Sequence, residues 1–180
     1  MEFTVTHICL INDDPSSIIS PIVDPNIPSH RLVIAAIPEH KKYVNVVIKL
    51  AKARGFQAEH FVLKNAQCPQ ALRDQFLNLF DKEASSNNEL WFNATNGTRL
   101  QSLSAFEVAK EFCIPTYVVE QHNDSLVWIS PQHKEQIKIQ DKLTLPEYVK
   151  LYDAELISRD NELGIDDNRK ELGKLGSLSI

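Results

Sequence analysis

Two kinds of apolar pattern alternate along the chain. Short, almost continuous apolar runs bounded by polar residues predict buried strands, and the intervening stretches carry apolar residues at the spacing of amphipathic helices. The predicted strands span residues 5–11, 31–37, 57–63, 89–95 and 115–121. The predicted helices span residues 16–24, 41–55, 69–84 and 98–112, the first of them interrupted by Pro21. This alternation predicts the α/β class, with an open, mainly parallel sheet flanked by helices.

The pattern changes after the fifth predicted strand. Two apolar segments, 125–130 and 135–140, are bounded by turn-rich links, and they predict a C-terminal β-hairpin with antiparallel strands. Residues 143–157 then predict a short helix. Beyond this helix the chain is charged, punctuated by glycine and poor in aromatic residues, which is typical of a linker or of a helix that needs a partner. We therefore predict a folded domain over residues 1–152 and a charged linker or helical extension over residues 153–180.

Composition argues against several classes of protein. The chain has 180 residues, of which 43% are hydrophobic, and its formal net charge is -5. This charge argues against holding long DNA or RNA on a broad basic surface. No run of about 18 apolar residues is present to span a bilayer, and an acidic residue stands where a signal peptide would be basic. We expect a cytoplasmic protein without a membrane partner.

Neither the cysteines nor the histidines form the pattern of a metal site. Cys9, Cys68 and Cys113 are far apart and include no CxxC pair, so we expect three reduced packing residues. The six histidines show no HExxH or comparable spacing, and we expect them at the surface or at helix ends. The sequence therefore predicts neither a bound metal nor a cofactor.

An Asn-Gly dipeptide follows the fourth predicted strand, yet it does not lead into a hairpin. The apolar residues after it recur at steps of three, at Leu100, Leu103, Phe106, Ala109 and Phe112. This spacing is helical and not alternating. The turn therefore connects a strand to a helix.

This strand-to-helix turn, in the segment NATNGTRLQ, carries residues that suit an anion. Gly97 can adopt a positive φ and let another molecule approach the backbone, and Thr98 with Gln101 matches a capping box. The first-turn amides, the helix dipole and the guanidinium of Arg99 all favour phosphate at this position. A phosphate-bearing ligand is one interpretation, and a capped helix without a ligand is the other. The GxGxxG and GxxxxGK[ST] signatures of other nucleotide sites are absent.

A second polar turn, in the segment INDDPSS, follows the first predicted strand. Ligands of open parallel sheets gather at the carboxyl ends of the strands, so both turns are candidate contacts. The candidates in this turn are Asn12, Asp13, Asp14 and Pro15. Carboxylates disfavour a phosphate, and we expect Asp13 and Asp14 to accept hydrogen bonds from ribose hydroxyls or an adenine amino group. We expect Ser16 or Ser17 to cap the next helix, and plain turn and cap chemistry is the alternative interpretation of the whole segment.

Three separated stretches of the chain resemble a known family. Residues 93–99, NATNGTR, resemble the Asn-x-Thr-Gly-Gly-Thr-Lys motif of the CARF domains (CRISPR-associated Rossmann fold), especially those at the front of DUF1887-type nucleases. Residues 11–24 resemble the start of these domains, and residues 124–152 resemble their final hairpin and helix. The resemblance covers residues 1–152 and implies a Rossmann-like ligand-binding domain.

The resemblance implies a homodimer that binds a cyclic oligoadenylate across its axis, with cyclic tetra-adenylate favoured. This ring is a second messenger of type III CRISPR antiviral immunity. The residues that match the motif are Asn93, Thr95, Asn96, Gly97, Thr98 and Arg99. Asn96 replaces a glycine, which is expected to restrict the approach of its amide to a phosphate, and Arg99 replaces a lysine, which keeps the charge but changes its geometry.

The resemblance also bears on activity and partners. Relatives carry a metal-dependent nuclease after this domain, and no motif of that nuclease follows residue 152, so the expected partner is an effector that is either fused or separate. Some CARF domains cleave their own messenger without metal. For slow cleavage of that kind the candidates are Thr98 and Arg99, and His122 is the histidine placed nearest the pocket rim.

Two alternative functions stay open at this point. One is an α/β enzyme that uses a mononucleotide or another phosphate-bearing cofactor in the same cleft. The other is an interaction module that binds no anion.

Overall fold

The computed structural model describes residues 5–84, 89–131, 135–140 and 143–152. Seven strands form one sheet: β1 Val5–Leu10, β2 Arg31–Ala36, β3 Gln57–Val62, β4 Glu89–Asn93, β5 Thr116–Glu120, β6 Ser125–Ser130 and β7 Ile137–Lys138. Five helices accompany it: α1 Ser16–Val23, α2 Lys41–Ala53, α3 Pro69–Ala84, α4 Arg99–Glu111 and α5 Leu145–Leu151. Within these ranges, no helix is long and apolar enough to cross a membrane.

The sheet has the order β3-β2-β1-β4-β5-β6-β7. Its first five strands are mutually parallel, and β6 and β7 are antiparallel additions at one edge. The predicted Rossmann-like α/β sheet is confirmed, as is the hairpin. The last strand is shorter than predicted, because only Ile137 and Lys138 pair with β6.

Helices cover both faces of the sheet, which explains why its central strands are apolar throughout. All six residues of β1 are buried, and successive side chains enter different cores. Ile8 and Leu10 pack with α3 and α4, whereas Cys9 and Ile11 belong to the core built on α1, α2 and α5. The continuous apolar run in the sequence is therefore the signature of a strand buried on both sides.

The helices depart from prediction at three points. Helix α1 runs through Pro21 without interruption. Its N-cap position is Pro15, and neither Ser16 nor Ser17 caps it, because their hydroxyls donate to Asp14 instead. The final helix spans Leu145–Leu151 within the described residues, and the tail predicted over residues 153–180 lies outside them.

Two expectations about single residue types are also corrected. His7 is completely buried in β1, where its ring nitrogens bond the Tyr117 hydroxyl (2.8 Å) and the Pro28 carbonyl oxygen (3.0 Å). Burial lowers the pKa of His7 to about 4, so its ring is neutral at physiological pH. Of the three cysteines only Cys9 is buried, and Cys68 and Cys113 are exposed.

Strand order creates one crevice at the carboxyl edge of the sheet. β1 and β4 are neighbours, but α1 leads from β1 towards β2 whereas α4 leads from β4 towards β5 on the other side. The two strand-to-helix loops therefore diverge from adjacent strands. Such a switch point is where open α/β sheets bind their ligands.

Candidate ligand-binding site

The two loops at the switch point are joined by hydrogen bonds. We call residues 11–15 the first loop and residues 94–98 the second loop. The side-chain amide nitrogen of Asn96 (Nδ2) donates to the Asp14 backbone carbonyl oxygen (2.8 Å) and to the Ser17 hydroxyl (2.6 Å). Asn96 is buried, with 6% of its surface exposed. Asn96, which replaces a motif glycine, thus links the second loop to the first through its side chain. A glycine at this position could not make these bonds.

Asn93 stabilises the base of the same junction. Its side-chain oxygen accepts from the amide and the hydroxyl of Thr95 (3.0 and 2.5 Å), and its nitrogen donates to the Ser17 carbonyl oxygen (3.1 Å). That carbonyl would normally accept from the amide four residues later in α1, but this residue is Pro21, which has no N–H. Asn93 therefore supplies the donor that the proline lacks.

Thr95 continues this bracing towards the next strand. Its hydroxyl oxygen accepts from the amide of Val119 (2.8 Å), at the end of β5. Asn93 is 1% exposed, and together the two side chains satisfy one another and three backbone groups. Their polar atoms are directed into the protein. The first half of the motif, Asn93 and Thr95, therefore stabilises the conformation of the loop.

Gly97 has the positive φ that the sequence predicted, at +90°. A Cβ at this position would lie 2.8 Å from Cδ1 and 2.9 Å from Cβ of Leu10. Both contacts are shorter than side-chain atoms tolerate. The glycine is therefore required by the packing of the second loop onto β1, independently of any ligand.

The start of α4 matches its prediction. Thr98 is the N-cap, its hydroxyl accepts from the Gln101 amide (3.2 Å), and the Gln101 side chain accepts from the Thr98 amide (3.0 Å). The capping box satisfies the backbone amides of Thr98 and Gln101, and the backbone amides of Arg99 and Leu100 have no intrahelical partner. Thr98 and Arg99 are both exposed. The second half of the motif thus presents amides and a cation to solvent.

In the first loop, two adjacent carboxylates have different surroundings. Asp14 accepts from the Ser16 amide and hydroxyl, from Tyr152 and from Gln121, whereas Asp13 is exposed and has no hydrogen-bond partner within the described residues. The side chain of Asn12 accepts from the Asp14 amide (3.1 Å). Pro15 is buried at the start of α1.

A cleft of about 580 Å³ opens beside the first loop. Asp13, Asp14 and Asp124 contribute carboxylates, and Tyr148 of α5 and the C-cap residue Tyr152 form one wall. None of the described side chains that line the cleft is cationic. The cleft is therefore suited to neutral groups rich in hydrogen-bond donors and not to phosphate.

Sequence reasoning missed the part of the cleft that comes from distant segments. Gln121 and Asp124 follow β5, and the tyrosines are more than 130 residues from the Asp14 they approach. Only the four-residue spacing of Tyr148 and Tyr152, which places both on one side of a helix, was available as a signal. His122 is exposed in the 3₁₀ turn Gln121–Asn123 and is not among the residues that line the cleft.

Comparison with solved structures supports this fold assignment. Protein VC1899 from Vibrio cholerae is 23% identical, with a TM-score of 0.78 over 82% of this chain and 39% of its own. Can2 from Sulfobacillus thermosulfidooxidans, solved in complex with cyclic tetra-adenylate, is 19% identical, with a TM-score of 0.64 over 82% of this chain and 40% of its own. A type III CRISPR defence DNA nuclease activated by cyclic oligoadenylate is 10% identical, with a TM-score of 0.66 over 84% of this chain and 23% of its own. The chain thus spans two fifths or less of the length of these proteins.

Sequence comparison assigns the family. No curated protein sequence matches the chain. The family model of the Card1 CARF domain matches residues 18–148, a range that runs from the first turn of α1 into α5 and includes the whole second loop. With most of the chain matched and the β1–β4 switch point in place, the protein belongs to the Card1 CARF domain family.

Proposed function

We propose that this domain is the sensor of a cyclic oligoadenylate in type III CRISPR antiviral signalling, and that cyclic tetra-adenylate is its preferred ring. The observation that carries the proposal is the second loop, where a family motif ends in an exposed cation at a capped helix start. Can2, which shares the fold, was solved with cyclic tetra-adenylate. The proposed domain spans residues 1–152, residues 153–180 form a charged linker or helical extension, and the proposed partner is an effector that is either fused or separate.

The two loops divide the chemistry of such a ring between them. The phosphates lie over the first turn of α4, where free amides, the helix dipole and Arg99 favour negative charge. The nucleosides extend towards the first loop, where Asp13 and Asp14 accept from ribose hydroxyls or adenine amino groups. This division explains how an acidic chain binds a polyanion, since its carboxylates contact the donors of the ligand and not its phosphates.

A homodimer completes the proposed site. A ring with twofold symmetry suits two identical loops related by a twofold axis. Helix α4 offers apolar side chains for this contact, because the apolar row that begins at Leu100 is only partly covered by the core. Leu103 is 63% exposed, Leu100 and Phe106 are half-buried, and the buried positions include Ala105 and Val108.

We extend the proposal to slow, metal-independent cleavage of the ring. A ribose 2'-hydroxyl would attack the adjacent phosphate and lose its proton to water, while the bond from phosphorus to the 5'-oxygen breaks and that oxygen takes a proton from water. The products would carry a 2',3'-cyclic phosphate and a 5'-hydroxyl, and the amides of α4 with Arg99 would stabilise the charge that develops. The Thr98 hydroxyl accepts from Gln101, and its own hydrogen can be donated to a phosphate oxygen.

Calorimetric titration with cyclic tetra-adenylate and cyclic hexa-adenylate tests the proposal, with analysis of the mixture for linear products. We expect one tetra-adenylate ring per two chains and weaker binding of the larger ring. Linear products would establish cleavage, and their absence would leave a passive sensor. Failure of both rings to bind would refute the sensor, and the next titrations would use mononucleotide cofactors.

A further inference from the structure

The residue that follows α5, its C-cap Tyr152, contacts the candidate ligand loop directly. The Tyr152 hydroxyl donates to the Asp14 carboxylate (3.1 Å) and lies 3.2 Å from the Ser16 hydroxyl. These partners are 138 and 136 residues away in sequence. Burial raises the pKa of Tyr152 above its usual range, so the hydroxyl keeps its proton at neutral pH. The first loop and the end of the folded domain are therefore in contact.

Helix α5 has a separate anchor on the framework. Arg54, the C-cap residue of α2, forms a bidentate ion pair with Glu147 (2.8 and 2.6 Å), and Leu151 is fully buried in the core with α2. Glu147 also accepts from the Thr144 amide and hydroxyl at the start of α5. The Arg54 side chain lowers the pKa of Glu147 to about 2. Loss of the Tyr152 contact would thus leave the end of α5 held by Leu151 alone and its start attached through Glu147.

One oxygen of the Asp14 carboxylate has no capacity left for an additional donor. A carboxylate oxygen offers about two lone-pair positions, and Oδ1 of Asp14 already accepts from two groups of Ser16 and from Tyr152, whereas Oδ2 accepts from Gln121 (2.8 Å). The Ser16 contacts are local to the loop. Of the two partners from other elements, Tyr152 makes the longer bond, and its residue is 41% exposed. A ligand donor directed at Oδ1 of Asp14 would therefore displace Tyr152 first.

We propose that Tyr152 is a ligand-released latch: a ring bound at the first loop displaces its hydroxyl from Asp14 and Ser16 and loosens the last turn of α5, which Leu151 then holds alone. This proposal rests on the proposed function and adds the route by which occupancy of the site reaches the chain beyond residue 152. Coupling of this kind is reciprocal. If ligand binding opens the latch, a protein whose latch is already broken binds the ligand more tightly.

The test combines hydrogen exchange with calorimetry on the complete chain. Exchange of the α5 amides is measured with and without saturating cyclic tetra-adenylate, in the unmodified protein, in Tyr152→Phe and in a matched control, Tyr43→Phe. Tyr43 is a half-buried tyrosine of α2 whose hydroxyl has no hydrogen bond to a described residue. Thermal melts verify that both variants fold.

We expect the ring to accelerate exchange in the last turn of α5 by about fivefold in the unmodified protein. Tyr152→Phe is expected to show this faster exchange without ligand and to bind the ring about threefold to tenfold more tightly. Tyr43→Phe should behave like the unmodified protein.

Three outcomes would overturn the latch. Unchanged α5 exchange on binding would show that the contact persists in the complex, and equal or weaker binding by Tyr152→Phe would show that Tyr152 does not compete with the ligand. If the unmodified protein binds no ring, the sensor proposal fails and the latch fails with it. The binding isotherm of the unmodified protein therefore distinguishes failure of the function from failure of the latch.

Discussion

The two loops at the switch point differ in where their polar groups are directed. At the second loop, Asn93 at the end of β4 and the loop residues Thr95 and Asn96 are bonded inward, and the exposed groups are Thr98 and Arg99 at the start of α4. In the first loop the division falls between adjacent residues, since Asp14 is bonded to protein donors and Asp13 is exposed. A sequence motif that looks like one binding element is thus partly framework and partly contact surface.

Gly97→Ala should have the largest effect on stability if the second loop is framework up to this residue. The substitution adds positive-φ strain and a Cβ 2.8 Å from Leu10, and we expect a loss of about 2 to 5 kcal/mol in unfolding free energy. Gly55→Ala is the matched control, because Gly55 also has a positive φ (+91°) but no atom within 4 Å of its added Cβ. Its expected loss is about 1 to 2 kcal/mol. Equal losses in urea unfolding would contradict the packing argument.

Asn93→Ala should destabilise the protein by about 2 to 4 kcal/mol, because it leaves the Ser17 carbonyl and two groups of Thr95 without their partner. Asn93 donates to the Ser17 carbonyl in place of the N–H that Pro21 lacks, so the cost of Asn93→Ala should depend on residue 21. In a Pro21→Ala background the amide of residue 21 can donate to Ser17, so the cost of Asn93→Ala should fall by about 1 kcal/mol. Unfolding of the four proteins in a double-mutant cycle measures this, and strictly additive losses would exclude the coupling.

Arg99→Ala should affect the ligand and not the fold. Arg99 is exposed and makes no ion pair with a described residue, so unfolding free energy should change by less than about 0.5 kcal/mol. Affinity for cyclic tetra-adenylate should fall by about 1 to 3 kcal/mol through a lost charge-assisted phosphate contact. Lys110→Ala, an exposed cation in the last turn of the same helix, is the control. If titration gives both variants the same loss, only net charge matters.

The smallest effect is expected for Asp13→Ala. Affinity should fall by about 0.5 to 1.5 kcal/mol if Asp13 accepts a hydrogen bond from the ring, with stability unchanged. Asp14→Ala is the comparison, and it should destabilise the protein by about 1 to 3 kcal/mol because several protein donors lose their acceptor. An Asp13→Ala variant that unfolds more easily than Asp14→Ala would reverse the assignment of the two carboxylates.

Much of the fold was predictable because its signals are local. The apolar runs of the central strands β1, β2 and β4 reflect burial on both faces, and the Thr98 and Gln101 capping box depends only on residues three apart. The error on α1 has a long-range cause. Proline usually interrupts a helix, but here the side chain of Asn93 in β4 donates to the Ser17 carbonyl oxygen, which lacks its helical partner. No pattern within α1 could indicate this bond.

The candidate site was predictable in position but not in the roles of its residues. Both turns lie at the switch point, as expected from strand ends. The inward bonding of Asn96 depends on Asp14 and Ser17, 82 and 79 residues away, and the contact of Tyr152 with Asp14 depends on where α5 packs. The helical row through Leu103 shows a related limit, because spacing identifies a helix but does not determine which side faces the core.

The proline in α1 has a consequence for how the family's sequences vary. Where position 21 is proline, position 93 must provide a side-chain donor as well as an acceptor, which only an amide of this length can do. Where position 21 is another residue, the donor is dispensable, and aspartate at position 93 would still accept from Thr95. We therefore expect these two positions to co-vary among relatives, although they lie in different elements and both are buried.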